Sequence, residues 1–166
     1  MMEEQKRMNK DELIILLREY KENKAKLNIR VKELKIYRLQ LKSCEEINIC
    51  ITASYGENTD IHSKNKTSNK TLDIVEKNET KKEELINRIS SLEETVKNLK
   101  EKVELVEDRL EGLKYKEKQL LIAYYIDGRS YDEIGNQLYF QLFNQTRSWE
   151  TIKKIIEKAT NKMINL

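Results

Sequence analysis

From Leu85 onward the apolar residues Leu85, Ile89, Leu92, Val96, Leu99, Val103, Val106, Leu110 and Leu113 follow one another in alternating steps of four and three, flanked by Glu and Lys. A helix repeats about every 3.6 residues, so this spacing holds all of them on one narrow face. Such a seam needs a partner to cover it, which a single solvated amphipathic helix lacks. The same ladder recurs near the N-terminus at Leu13, Leu17, Tyr20, Leu27, Val31, Leu34 and Leu41, with Lys24 and Arg38 at two seam positions. The two stretches, Lys10 to Glu45 and Glu79 to Gly112, match in length, each about 50 Å at the helical rise. The expected arrangement is an antiparallel helical hairpin within one chain, with pairing between chains as the alternative. The polar seam positions would set its register at some cost in stability.

Composition supports long helices over one broad core: of 166 residues 37% are charged, none is proline and only four are glycine. Residues 1–46 read as an N-terminal coiled-coil helix and 79–112 as the heptad helix. Between them, 47–78 opens with the run INICIT and continues as SYGENTDIHSKNKTSNKT, a polar connector expected to be a mobile loop. Its lysines read as a solvated tract more readily than as a phosphate site.

Several classes of function are excluded at this level. Cys44 and Cys50 have no companion histidine, because His62 is the only one in the chain, and a zinc site needs about four ligands. No Gly-rich phosphate loop or cluster of nucleophile and base is present, so no catalytic residue, metal or cofactor is expected and the chain does not read as an enzyme. No signal-peptide pattern occurs and no apolar run approaches the ~20 residues of a membrane span. The expectation is a cytoplasmic protein with reduced thiols and no membrane partner. The N-x-[ST] matches at Asn65, Asn69, Asn78 and Asn144 then follow from an Asn- and Lys-rich composition.

The charge is unevenly spread. From Leu113 to the C-terminus nine basic residues stand against six acidic ones, which accounts for the whole net charge of +3. An anionic partner is expected at this end. The heptads stop at Gly112, and Lys116 to Ile126 reads as a helix that buries Leu120, Leu121, Ala123, Tyr124 and Tyr125. Asp127-Gly128 is a stop signal, and Ser130-Tyr131-Asp132-Glu133 is a capping box that starts a second helix at Tyr131. A last helix begins after the N-cap Ser148 and buries Ile152, Ile155 or Ile156, Ala159 and Met163. Ile134, Leu138 and Leu142 carry the second helix to about Phe143, which leaves Asn144 to Arg147 as a turn. Phe140 and Phe143 are expected over the unit's own core, with packing on the coiled coil as the alternative.

The run L-x-x-K-E-x-x-L-L-x-x-Y-Y-I-x-G-x-S-x-x-E-I-G, followed by S-x-x-T-I-K-x-I-x-x-K-A-x-x-K-M, resembles region four of bacterial sigma factors, which reads the −35 promoter element. The resemblance covers residues 113–166. The order of helix, polar connector, heptad helix and C-terminal unit is also similar to small phage-encoded transcriptional regulators of low-GC Gram-positive bacteria. It implies a helix-turn-helix in which the last helix enters the major groove. Carried over by position, the DNA contacts are Trp149, Glu150, Thr151, Lys153 and Lys154, with Ser148 at the cap and Lys158 one turn further. Glu150 would accept from a cytosine amino group and the lysines would reach guanine or phosphate. Ser130 and the Tyr131 and Asp132 amides would lie against phosphate. Trp149 departs from the basic residue usual in that family. On the residues alone, Trp149 reads equally as a packed aromatic; the alternatives for the others are Glu150 as a helix-dipole partner and the lysines as a solvated face, with DNA contact the favoured reading of the lysines. About five residues more than the usual helix-turn-helix connection separate Leu138 from Ser148. They turn the helix exit by about 140°, which would redirect the last helix.

The expected fold is therefore all-α: a long antiparallel coiled-coil hairpin followed by a small C-terminal helix-turn-helix domain, residues 113–166. The expected function is a sequence-specific, double-stranded-DNA-binding regulator of phage or prophage origin. The resemblance leaves contact with RNA polymerase open, and the seam also permits homo-oligomers. A packaging-site DNA binder of the small-terminase type and a coiled-coil adaptor without DNA are the alternatives.

Overall fold

The computed structural model describes the backbone of residues 9–55 and 70–166, and the side chains of 9–46 and 76–166. Every element among them is helical. α1 (Lys10–Tyr55) and α2 (Lys70–Glu111) are the two long helices, and they pack against each other. α1 starts with Asp11 and Glu12 at its positive end, and Glu12 Oε2 accepts from the Asn9 amide at 3.3 Å. Both helices exceed their sequence-based limits, since residues 47–55 and 70–78 of the expected connector are helical. The chain holds no proline, and Gly56 is its first glycine, so nothing breaks α1 before Tyr55. Residues 56–69 of the expected loop, His62 among them, and the side chain of Cys50 lie outside the described part.

Two compact units are formed, Leu27–Asn98 on one hand and Met1–Lys26 with Leu99–Leu166 on the other. In the first, α1 and α2 run antiparallel: Glu45 pairs with Lys82 at 3.5 Å, and Arg38 with Glu93 at 2.7 Å. Leu34, Cys44 and Leu85 are buried there, whereas Ile89, Leu92 and Val96 are only half-buried.

In the second unit, Lys24 Nζ and the Tyr20 hydroxyl both donate to Glu107 Oε1, at 2.7 and 2.6 Å. Lys24 first, then Tyr20, holds the Glu107 carboxyl below the usual carboxylate range. Lys24 and Arg38, expected at seam positions of α1, are instead exposed at its edge, where each pairs with a carboxylate of α2; Asn23 is buried and Tyr37 half-buried in their place.

After Gly112 the chain turns into α3 (Tyr115–Leu121), which widens into a π-helical turn at Ile122–Ile126. Gly128, at φ +72°, ends this helix and lets the Arg129 amide reach back to the Ala123 carbonyl. A second helix follows as α4 (Tyr131–Glu133), a π-helical turn (Ile134–Leu138) and α5 (Tyr139–Phe143). The last helix is α6 (Trp149–Ile164).

These pieces form two cores within the unit. Leu120, Ala123, Ile134, Tyr139, Ile152 and Ile156 make one, which belongs to the three C-terminal helices alone. The other joins Leu13 and Leu17 of α1, Val106 and Leu110 of α2, Leu113, Leu121 of α3, and Ala159 and Met163 of α6. The apolar stripe of α6 is therefore divided, its first half closing the three-helix core and its second half covering the ends of the hairpin. The break in the helix at residues 112–113 is not a break in packing.

Candidate nucleic-acid interface

The second helix places the last one. Its start is fixed by the expected capping box: Ser130 Oγ accepts from the Glu133 amide at 3.3 Å, and Glu133 Oε2 accepts from the Ser130 amide at 2.8 Å. Those bonds to Ser130 hold the Glu133 carboxyl below its usual range. Ser130 Oγ also donates to Glu133 Oε2 at 2.9 Å, so an anion of the chain's own already occupies this cap. Tyr131 does not point outward as a contact residue. Its ring stacks on Tyr124, with centroids 4.3 Å apart and planes at 13°, and joins the three-helix core. Burial, then Tyr124, drives its hydroxyl far above the ordinary tyrosine range.

Past Ile134 the helix departs from the pattern of i, i+4, i+8. The π-helical turn adds a residue, so the buried position moves from Leu138 to Tyr139, and the half-buried Phe143 rather than Leu142 packs against that core. Leu138 and Leu142 are half-buried flanks. Phe143 packs on Tyr139 at 4.9 Å, as expected of a core cover. Phe140 does not: one residue beyond Tyr139 it has turned about 100° and is 51% exposed.

Asn144 ends the helix in the left-handed conformation, at φ 54°. The chain then returns, and the Arg147 amide donates to the Gly135 carbonyl at 3.2 Å. A Cβ on Gly135 would collide with the Arg147 carbonyl, so glycine is required for this close approach. The long connection is thus helix up to Phe143 and a short turn pinned to Gly135.

α6 starts beyond this pin. Ser148 occupies the N-cap position, and its carbonyl accepts from the Thr151 and Ile152 amides at 3.0 and 3.1 Å. Its hydroxyl does not cap an amide but lies 3.1 Å from Thr151 Oγ1, and Thr151 is half-buried. Trp149 is 48% exposed, so it is not a core aromatic. Glu150, Lys153, Lys154 and Lys158 are all exposed, opposite or beside the stripe of Ile152, Ile156, Ala159 and Met163. None of these four forms an ion pair among the described residues. By contrast Lys162 is committed to Glu117, at 2.6 Å, and holds that carboxyl below its usual range.

One cationic grouping was not singled out by sequence. The Lys116 ammonium lies 4.5 Å from the centre of the Tyr139 ring and 5.2 Å from that of Phe143, and the Arg147 guanidinium lies 5.9 Å from the Tyr139 ring. Lys116 looks like a solvated first-turn residue and Arg147 like a turn residue until the π-helical turn brings Tyr139 between them. Among the described residues there is no cluster of three metal-ligating side chains, and no helix is long and apolar enough to cross a membrane. No protein-family model, curated protein or solved structure matches the chain.

Proposed function

We propose that the chain is a sequence-specific DNA-binding transcriptional regulator that reads the major groove with α6. The observation that carries this reading is the outer face of α6. Trp149, Glu150, Lys153, Lys154 and Lys158 stand exposed, and the charged ones among them have no partner in the described residues. Unpaired lysines on one helix face are suited to phosphate and guanine, and an acidic residue among them to a cytosine amino group. The fixed approach at Gly135 supports it further, because a reading helix has to be held rigidly by its neighbour. The hairpin carries this reader. Action at promoters of phage or prophage type, and contact with RNA polymerase, belong to the same proposal through the resemblance to sigma region four.

Glu150 provides the test. Selection from a random-site duplex library should return a defined motif for the full chain. Glu150→Ala should relax one or two positions of it, by about 1–3 kcal/mol each. Identical motifs for both proteins would contradict a base-reading Glu150, and recovery of no motif would contradict the function.

A further inference from the structure

Two cations share the surroundings of one buried ring in the C-terminal unit, and nothing in the described residues neutralises them. Tyr139 is 1% exposed, and both Lys116 and Arg147 lie against its ring. Neither takes part in an ion pair among the described residues, and the Arg147 guanidinium donates to the neutral Gln145 Oε1 at 3.2 Å. The carboxylate next to Lys116, Glu117, is held by both nitrogen–oxygen contacts to Lys162, and Glu150, three residues after Arg147, forms no ion pair with it. Both cations act on the phenol: burial pushes the Tyr139 hydroxyl up, yet hydrogen bonding from Lys116 and then Arg147, with their charges, outweighs it and leaves it lowered.

Two cations at 4.5 and 5.9 Å from one ring centre repel each other, and the aromatic face offsets only part of that cost. An anion received between them would remove it. Arg147 directly precedes the N-cap of α6, so such an anion would sit beside the helix's first turn. There the positive end of the helix dipole adds to the attraction. The backbone of Arg147 is fixed by the bond to Gly135, which preorganises the guanidinium. A planar fork of donors suits the paired oxygens of a phosphodiester, and a point charge such as Lys116 complements it.

We propose that Lys116 and Arg147, braced on Tyr139, form a phosphodiester clamp that anchors duplex DNA next to the first turn of α6. This rests on the DNA-binding reading above and adds contacts that the α6 face does not contain. The clamp positions the helix and carries no base information, so it contributes equally to every duplex.

The test is the salt dependence of binding of the full chain to a random-sequence duplex pool. Each phosphate contact contributes about −0.9 to the log–log slope. Arg147→Gln and Lys116→Gln should each flatten the slope by about one unit, the double variant by about two, and Arg147→Lys should retain most of it. The melting temperature of Arg147→Gln should fall by no more than a few degrees, because the side chain is exposed and loses only its contact with the Tyr139 ring. Wild-type binding with a slope unchanged in Arg147→Gln would overturn the clamp while leaving DNA binding intact. Inorganic phosphate that raises the wild-type melting temperature, again with unchanged slopes, would make the site one for small anions and overturn the clamp too. A wild-type chain that binds no duplex would overturn both proposals.

Discussion

Leu92 and Val106 stand on the same ladder of the same helix, yet Leu92 is half-buried and Val106 is 1% exposed. The seam in Leu27–Asn98 is covered by one helix only. In the other unit, Leu121, Ala159 and Met163 add a third layer over Leu13, Leu17, Val106 and Leu110. Periodicity decides which face of a helix is apolar; two layers bury part of it, as at Leu34 and Leu85, and a third layer takes residues such as Leu13, Leu17 and Val106 to 0–1% exposure. Two helices of equal regularity can thus differ several-fold in what each apolar side chain contributes.

The sharpest way to break this comparison is a charge. Val106→Asp would bury an unpaired carboxylate and should abolish cooperative folding of its unit at ambient temperature. Leu92→Asp, with water at hand, should leave a cooperative melt by circular dichroism. Milder truncations should rank the same way in urea: Leu17→Ala should cost about 2–5 kcal/mol, and Leu92→Ala about 1 kcal/mol. Equal costs would mean that the third layer adds nothing.

Gly135→Ala tests the close approach that sets α6. The added methyl meets the Arg147 carbonyl, so the turn must move, and a loss of about 1–3 kcal/mol is expected. A neutral result would show that the second and last helices are not fixed at that point.

Smaller again is the response to acid. The Glu117 carboxyl is lowered by Lys162, so the stabilisation it supplies is present above the unfolded carboxylate value of 4.5 and fades as pH falls through the lower folded value. Glu117→Gln should lower stability at neutral pH and reduce its fall on acidification below pH 4.5. Identical pH profiles would rule out this pair as an acid-sensitive link. The smallest effect belongs to the exposed pair Arg38–Glu93, where a double-mutant cycle should give about 0–1 kcal/mol.

Much of this fold was legible because its signals are local. The four-three ladder marks both long helices, and Ser130 with Glu133 forms the capping box anticipated from four adjacent residues. Gly128 also stops its helix as expected. What stayed hidden depends on context. Residues 47–55 and 70–78 have weak helical signals, but no proline or glycine interrupts either stretch and both long helices run through them. The π-helical turn at Ile134–Leu138 exchanges Leu138 for Tyr139 in the core, which no count at i+4 can anticipate. Ala159 and Met163 look like core residues of their own domain, but they close the hairpin ends instead. Of the candidate contacts on α6, all but the half-buried Thr151 are exposed. Ser130 and Tyr131 are engaged in capping and in ring stacking, roles that the same residue types fulfil in any helix start.

The central claim, that α6 is the surface that meets DNA, is tested most directly by the salt dependence of duplex binding in the Lys153→Ala/Lys154→Ala double variant. Both side chains are exposed and unpaired among the described residues, so folding should be unaffected. The expected result is an unchanged melting temperature together with a log–log slope flatter by about two units. An unchanged slope at equal affinity would contradict the account and place the nucleic-acid surface, if there is one, away from α6.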